Sequence, residues 1–236
     1  MYPGGQIMSD LVVGTKTAEL NKLFEDWKQQ YAGLKIDTTK FSADGIICED
    51  KYDAAKKKIL FVLRETNDFP EGDLRVLYRD GPKLQMAAQL SKWATGILYD
   101  FPDYSEVDMN ENNIRTEAIK SIAIMNVKKY TGGAIADFNL LHVFTKLDKD
   151  LIKREIDIIK PQIIVCCNTF IELMWALDLE LDMSDLENIF GKSYIYNGAR
   201  IVVWQHHPSD RGKHSENYDR LKKLFQKTGL TKEFAQ

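Results

Sequence analysis

Long apolar runs are missing from this sequence. No stretch of about 18 apolar residues occurs, the length a helix needs to cross a bilayer, so no membrane span is expected. The opening residues, MYPGGQIMSDLVVG, lack a charged segment followed by a continuous apolar one, which argues against a secretory signal. Pro3, Gly4 and Gly5 read instead as a frayed tail. Cysteine is scarce: Cys48, Cys166 and Cys167 are the only three. An odd count without a spacing pattern argues against a disulfide framework. No C-x-x-C or His/Cys cluster is present to hold zinc or iron–sulfur. Cys166 and Cys167 sit in an apolar run, where cysteine packs as a small hydrophobe. A reducing, cytoplasmic setting is expected, with no metal and no cofactor. The phosphate-binding G-x-x-x-x-G-K-[ST] and G-x-G-x-x-G patterns are absent too, which counts against nucleotide hydrolysis and dinucleotide binding. Nor is there a large excess of one charge: the net value is −3, which by itself does not advertise a nucleic-acid partner.

What is present is an apolar share of 44%, enough for a substantial core, in a chain of 236 residues that suits one domain. Charge is unevenly spread. Residues 191–236 hold nine Lys/Arg against four Asp/Glu, whereas residues 98–117 hold six acids against one Arg. A basic C-terminal segment suits a phosphate-binding face. A solvated helix surface is the plainer alternative.

Leu20, Leu23, Phe24, Trp27 and Tyr31 fall at helical spacing, so residues 17–31 are expected to form an amphipathic helix. Residues 58–63 (KILFVL), 121–127 (SIAIMNV), 163–167 and 201–205 are short apolar runs, read as buried strands, and 193–196 is a further short strand. Helices are expected at 83–98, 148–159, 169–177 and 214–228, with Asp148 as an N-cap and Pro161 as a stop. Apolar strands alternating with helices predict an α/β fold: three layers, α/β/α, around a central, mostly parallel sheet of four to five strands.

In such sheets ligands bind outside the carboxyl ends of the strands. Three polar clusters fall there: Arg64-Glu65-Thr66-Asn67-Asp68, Asn126-Val127-Lys128-Lys129 and His206-His207-Pro208-Ser209. Their convergence on one edge is the strongest sign of a site. Pro208 restricts the backbone of His207, and a histidine at a sheet mouth can donate to developing negative charge. His206 is the alternative, and a structural histidine the plainer one. Asn126 offers one acceptor and two donors, which suits a pyrimidine edge as well as a turn cap. Glu65 or Asp68 can orient a water or favour a cationic sugar, and Asn67-Asp68 can equally be turn formers. Lys128, Lys129, Arg211 and Lys213 can neutralise phosphates. Gly132-Gly133 allows a close backbone approach or a simple turn.

The run SIAIMNVKKYTGG, then IIKPQIIVCCNTF, then IVVWQHHPSDRG resembles the uracil-DNA-glycosylase superfamily, in particular its branch with an Asn-Val-x-Lys motif, a Pro-x-Ile-Ile-Val strand and a terminal His-Pro-Ser. The likeness covers about residues 58–225 in the same order. It implies a single domain of that type over 1–236, with an N-terminal helical extension at about 1–50. It implies that Asn126 reads a base flipped out of DNA, joined by Asn67 and Phe69. His207 would stabilise the departing base anion. The Ser209–Lys213 loop, with Arg211, would press into the DNA. Arg64, Lys128 and Lys129 would meet the backbone, and the first loop, through Glu65, Asn67 or Asp68, would position the water. The partner implied is DNA, met by a monomer.

Two departures bear on the substrate. Family members have Gly and often Pro where this chain reads LRETND, and some carry an iron–sulfur cysteine where this chain has Tyr130. The bulkier Arg64 and Glu65 turn the expectation from plain uracil toward a modified pyrimidine, including the modified cytosines of phage DNA. The implied reaction is monofunctional: the N-glycosidic bond is hydrolysed and an abasic site remains, in repair or in phage defence. A catalytically silent DNA-binding protein on the same fold and a nucleoside or nucleotide hydrolase are the competing readings.

Overall fold

The computed structural model describes residues 14–180, 189, 192–210 and 212–230. Its apolar runs become strands because they are short, β-branched and buried on both faces. The strands are β1 (Gly45–Ile46), β2 (Ile59–Leu63), β3 (Ala123–Asn126), β4 (Ile163–Cys167), β5 (Ser193–Tyr196) and β6 (Ala199–Trp204). They form one six-stranded sheet in the order β1-β3-β2-β4-β6-β5. The helices are α1 (Thr15–Gly33), α2 (Glu49–Ala54), α3 (Leu74–Arg79), α4 (Gln85–Leu98), α5 (Tyr104–Met109), α6 (Ile114–Lys120), α7 (Phe138–Leu147), α8 (Lys149–Ile159), α9 (Phe170–Ala176) and α10 (His214–Lys227).

Alternation along each strand splits the interior into two cores. Leu60, Val62, Met125, Ile164, Cys166, Ile201 and Val203 face one side, packed with residues of α1, α8 and α9. Phe61, Leu63, Ile124, Val165, Cys167, Val202 and Trp204 face the other, packed with α4, α6 and α10. A one-residue slip would exchange the two sets. Helices thus cover both faces, and none is long and apolar enough to cross a membrane among the described residues.

A mostly parallel sheet of four to five strands is predicted from the sequence, but the sheet is mixed and has six. The inner strands β3, β2, β4 and β6 are parallel. The edges are not: β1 runs antiparallel to β3, and β5 antiparallel to β6. β1 holds only two paired residues, too few to show a period. β5 and β6 are joined by Asn197-Gly198, both with positive φ (47° and 84°), the backbone that a tight hairpin turn demands.

The N-terminal segment belongs to the core. Leu20, Leu23, Trp27 and Tyr31 of α1 have no solvent exposure. Past α1, the chain runs beside the end of β3: Ser42 N–H donates to the Lys129 carbonyl (2.8 Å) and Thr131 N–H to that of Lys40 (2.8 Å).

Asp148 does precede a helix, α8, but its side chain does not cap it. The carboxylate is fully buried and accepts from Tyr31 Oη (2.6 Å) and Gln30 Nε2 (3.1 Å). Burial pushes its pKa up to about 7, against the pull of the Tyr31 bond. The folded state therefore binds this proton more tightly than the unfolded chain does. Stability from this group is full below the ordinary aspartate range and is lost as pH rises toward about 7. Asp148→Asn keeps the acceptor without the ionisation. Chemical denaturation at pH 5 and pH 8 should show the variant gaining on the wild type by roughly 2 kcal/mol between the two.

Candidate functional site at the carboxyl edge of the sheet

The order β3-β2-β4-β6 means that the chain leaves β2 in one direction and β4 in the other. A crevice opens outside the carboxyl ends of strands where the connections part in this way. The first residues beyond the four parallel strands are Arg64, Val127, Asn168 and Gln205, all on that edge.

The loop after β2 is clamped to the loop after β3. Asn67 pairs with Gly132 in a short parallel bridge, Asp68 N–H donates to the Gly132 carbonyl (3.0 Å), and Gly132 N–H to the Thr66 carbonyl (2.8 Å). Phe69 N–H donates to Thr131 Oγ1 (2.9 Å), and the Phe69 ring packs half-buried at the edge of the α4-side core. A Cβ on Gly132 would crowd the Glu65 carboxylate and push it off Lys128, so the glycine lets Glu65 sit between the loops. Inside this clamp the Glu65 carboxylate binds Lys128 Nζ, with both side chains at most 5% exposed. Burial pulls the Lys128 pKa down to about 8, opposed by Asp137. Asn67 and Asp68 are exposed, Asp68 with a positive φ of 43°. The half-buried Arg64 lays its guanidinium 5.3 Å from the centre of the Phe138 ring, and its Nε lacks a partner among the described residues.

Asn126 is 2% exposed. Its backbone N–H donates to Asp44 Oδ2 (2.7 Å), while its side-chain Oδ1 has no protein partner among the described residues. Asp44 also binds Lys129 Nζ (2.6 Å), which binds Glu155 Oε2 (2.7 Å), and none of the three is exposed. The phosphate contact expected of Lys129 is therefore corrected: both its charge and its surface are used up inside the protein. Burial opposes that charge, and the two carboxylates outweigh it and raise the lysine pKa.

Of the two adjacent histidines, His206 is half-buried, edge-on to Trp204 at 4.9 Å and 3.6 Å from Asp210. His207 is 7% exposed. Its backbone N–H donates to Asp210 Oδ2 (2.8 Å), and Nδ1 lies 2.7 Å from Ser209 Oγ and 3.3 Å from Ser209 N–H. A ring nitrogen that accepts from a backbone N–H carries no hydrogen, so in the neutral ring the hydrogen is on Nε2. That Nε2 is buried without a partner among the described residues. Burial, then the nearby Arg64 charge, lower the His207 pKa to about 4, against the pull of Asp210. Near neutral pH the ring is an uncharged donor awaiting an acceptor.

Ser209 is exposed, with its hydroxyl on His207; the exposed Lys213 is paired with Glu216 at 2.8 Å, at the start of α10; Arg211 lies outside the described residues. Beside Gln205, the basic residues Arg220, Lys223 and Lys227 of α10 line a shallow groove of about 250 Å³. On the other side of the edge a cleft of about 270 Å³ is lined by Phe138, His142, Asn168, Phe170, Glu172 and Trp204. None of these six was legible as a site from the sequence. Asn168 alone could have been found, since it follows a buried strand as Arg64 does. Asp44 carried no signal, because its partners are 82 and 85 positions away. No group of three or more His, Cys, Asp or Glu is placed to hold a metal ion among the described residues.

Neither a protein-family model nor a curated protein matches the chain.

The free Nε2–H of His207 makes a direct prediction. Titrated by nitrogen–proton NMR, His207 should stay neutral with its hydrogen on Nε2 from pH 8 to pH 5, with a midpoint near 4. A midpoint close to the ordinary histidine value of about 6.5 would contradict the burial described.

Proposed function

We propose that the protein is a monofunctional DNA glycosylase of the uracil-DNA-glycosylase type, its sheet and flanking helices being the three-layer domain of that superfamily. The observation that carries this reading is the pair of unshared polar atoms at one sheet edge, the Nε2–H of His207 and the Oδ1 of Asn126. Both are desolvated and neither has a partner among the described residues, which is costly unless a ligand completes them. A flipped base supplies both an acceptor and a donor.

In this reading the bond between the sugar C1′ and the base nitrogen breaks with its electron pair leaving on the base. Negative charge grows on the base and positive charge on the sugar. His207 meets the first as a neutral donor already in place, the arrangement in which electrostatic stabilisation is most effective. The Arg64 charge close to His207 works in the same direction. Water then bonds to C1′ and gives up its proton, leaving an abasic site. Glu65 is tied to Lys128, which leaves the exposed Asp68 as the freer carboxylate for the water. Arg220, Lys223 and Lys227 suit the DNA backbone in the place first assigned to Lys129, and binding should weaken with salt accordingly. A monomer acting in the cytoplasm, in repair or in phage defence, completes the proposal.

The substrate is uracil or a modified cytosine. The cleft beside the site favours the larger base, since it adds room past Arg64 and Phe138.

The test is abasic-site formation by the purified protein on DNAs carrying uracil, hypoxanthine, mismatched thymine, and unmodified, hydroxymethylated or glucosylated cytosine. Alkali-labile breaks on one substrate are expected, reduced a hundredfold or more in His207→Ala and clearly reduced in Asn126→Ala. Salt-sensitive DNA binding with no breaks on any substrate would replace this reading with a silent DNA binder. Turnover of free nucleosides without DNA affinity would replace it with a nucleoside hydrolase.

A further inference from the structure

Glu172 is 4% exposed and stands in the first turn of α9, in the wall of the cleft. Its Oε1 lies 3.1 Å from His142 Nε2 of α7, and Oε2 has no hydrogen bond among the described residues. The His142 ring is held in turn edge-on to Trp175, 4.6 Å between centres. The other walls are aromatic: Phe138, Phe170 and Trp204. A carboxylate set among rings and nearly removed from water is costly unless donors surround it. One donor is built in. The second place is open, and it faces a space of a size and lining that suit a planar heterocycle.

The cleft also belongs to the edge already described. Asn168 is the first residue past β4, Trp204 is the last of β6 and stands three positions before His207, and Phe138 lies under the Arg64 guanidinium. These residues place the cleft beside the strand ends that carry Asn126 and His207.

We infer that the cleft receives the extruded base and that Glu172, oriented by His142, selects a base bearing an exocyclic amine. This rests on the glycosylase reading and narrows its substrate to the cytosine type. An exocyclic amine donates to the open carboxylate oxygen, the pairing by which acidic side chains recognise cytosine. Uracil presents a carbonyl oxygen at the same position. It would set acceptor against acceptor and leave the second carboxylate oxygen without a donor. Asn168 and Phe170 frame the slot, and His142 acts as a positioning residue.

Free cytidine and uridine are the probes, titrated against the intact protein with its intrinsic tryptophan fluorescence as the signal. Wild type is expected to bind cytidine over uridine by on the order of tenfold to a hundredfold. Glu172→Gln keeps the shape and adds a donor, so it should erase or invert that preference. His142→Ala, at a half-buried position, should narrow the preference while leaving the melting temperature close to wild type. Equal affinities in the wild type, or an unchanged preference in Glu172→Gln, overturn the inference.

The DNA assay separates this failure from that of the glycosylase reading. Abasic sites formed with the same base selectivity in wild type and Glu172→Gln would leave a glycosylase without this selector. A cytidine preference lost in Glu172→Gln, with no abasic sites on any DNA, would leave the selector in a protein that is not a glycosylase.

Discussion

A lysine ammonium buried between two carboxylates holds the working edge of this protein in place. Lys129 has no exposed surface, and Asp44 and Glu155 close on it from the N-terminal segment and from α8. Removing an ammonium from water costs several kcal/mol, and stripping one partner from such a cluster costs about 3–5 kcal/mol. Burial and the neighbouring Asp44 charge hold the Glu155 pKa far above the carboxylate range, against the attraction of Lys129. The rings of Trp27 and Phe24 lie 5.1 and 5.7 Å from the same ammonium. Three parts of the chain, far apart in sequence, are joined at one point.

That point lies three residues beyond Asn126. Asp44 uses one oxygen for Lys129 and the other for the Asn126 backbone. The end of β3 is therefore set by a carboxylate from the N-terminal segment, and the Asn126 side chain keeps its own oxygen free. Lys128, one residue back, turns to the loop after β2 and binds Glu65. Two adjacent lysines thus serve as fasteners, one inside the core and one between loops. Among the described residues, buried atoms without a partner at this edge include Asn126 Oδ1, His207 Nε2 and Arg64 Nε. Desolvated polar atoms left without a partner at a strand-end edge are what a ligand would complete.

Much of the architecture was legible in the residues. The strands at 59–63, 123–126, 163–167 and 199–204 were visible because burial on both faces makes them continuous apolar runs, and α1, α8 and α10 because one-sided burial makes them periodic. Short elements were not legible. β1 exists through its pairing with β3 and has no pattern of its own, and α7 presents Leu140, Val143 and Leu147 to solvent, which blurs its apolar face. The Asn197-Gly198 hairpin was not read from the sequence, and with the antiparallel β1 it makes the sheet mixed.

The candidate site divides in the same way. Strand-end position is a property of the sequence, so Arg64, Asn126 and His207 could be named from it. Their states could not. His207 is a neutral Nε2 donor because Ser209 sits on Nδ1 and because burial and Arg64 disfavour a second proton. Lys129 is an internal counter-ion because Asp44 and Glu155 arrive from distant segments, and Glu172 lines a cleft because α7 and α9 pack with His142 between them. The sequence by itself determined the inner strands, the long periodic helices and the polar residues that end those strands, since those are local consequences of hydrophobic period and backbone preference. The tertiary structure decided which charges are paired, which atoms stay unpaired and which side chains line the cleft. Those depend on distances between residues that only folding brings together.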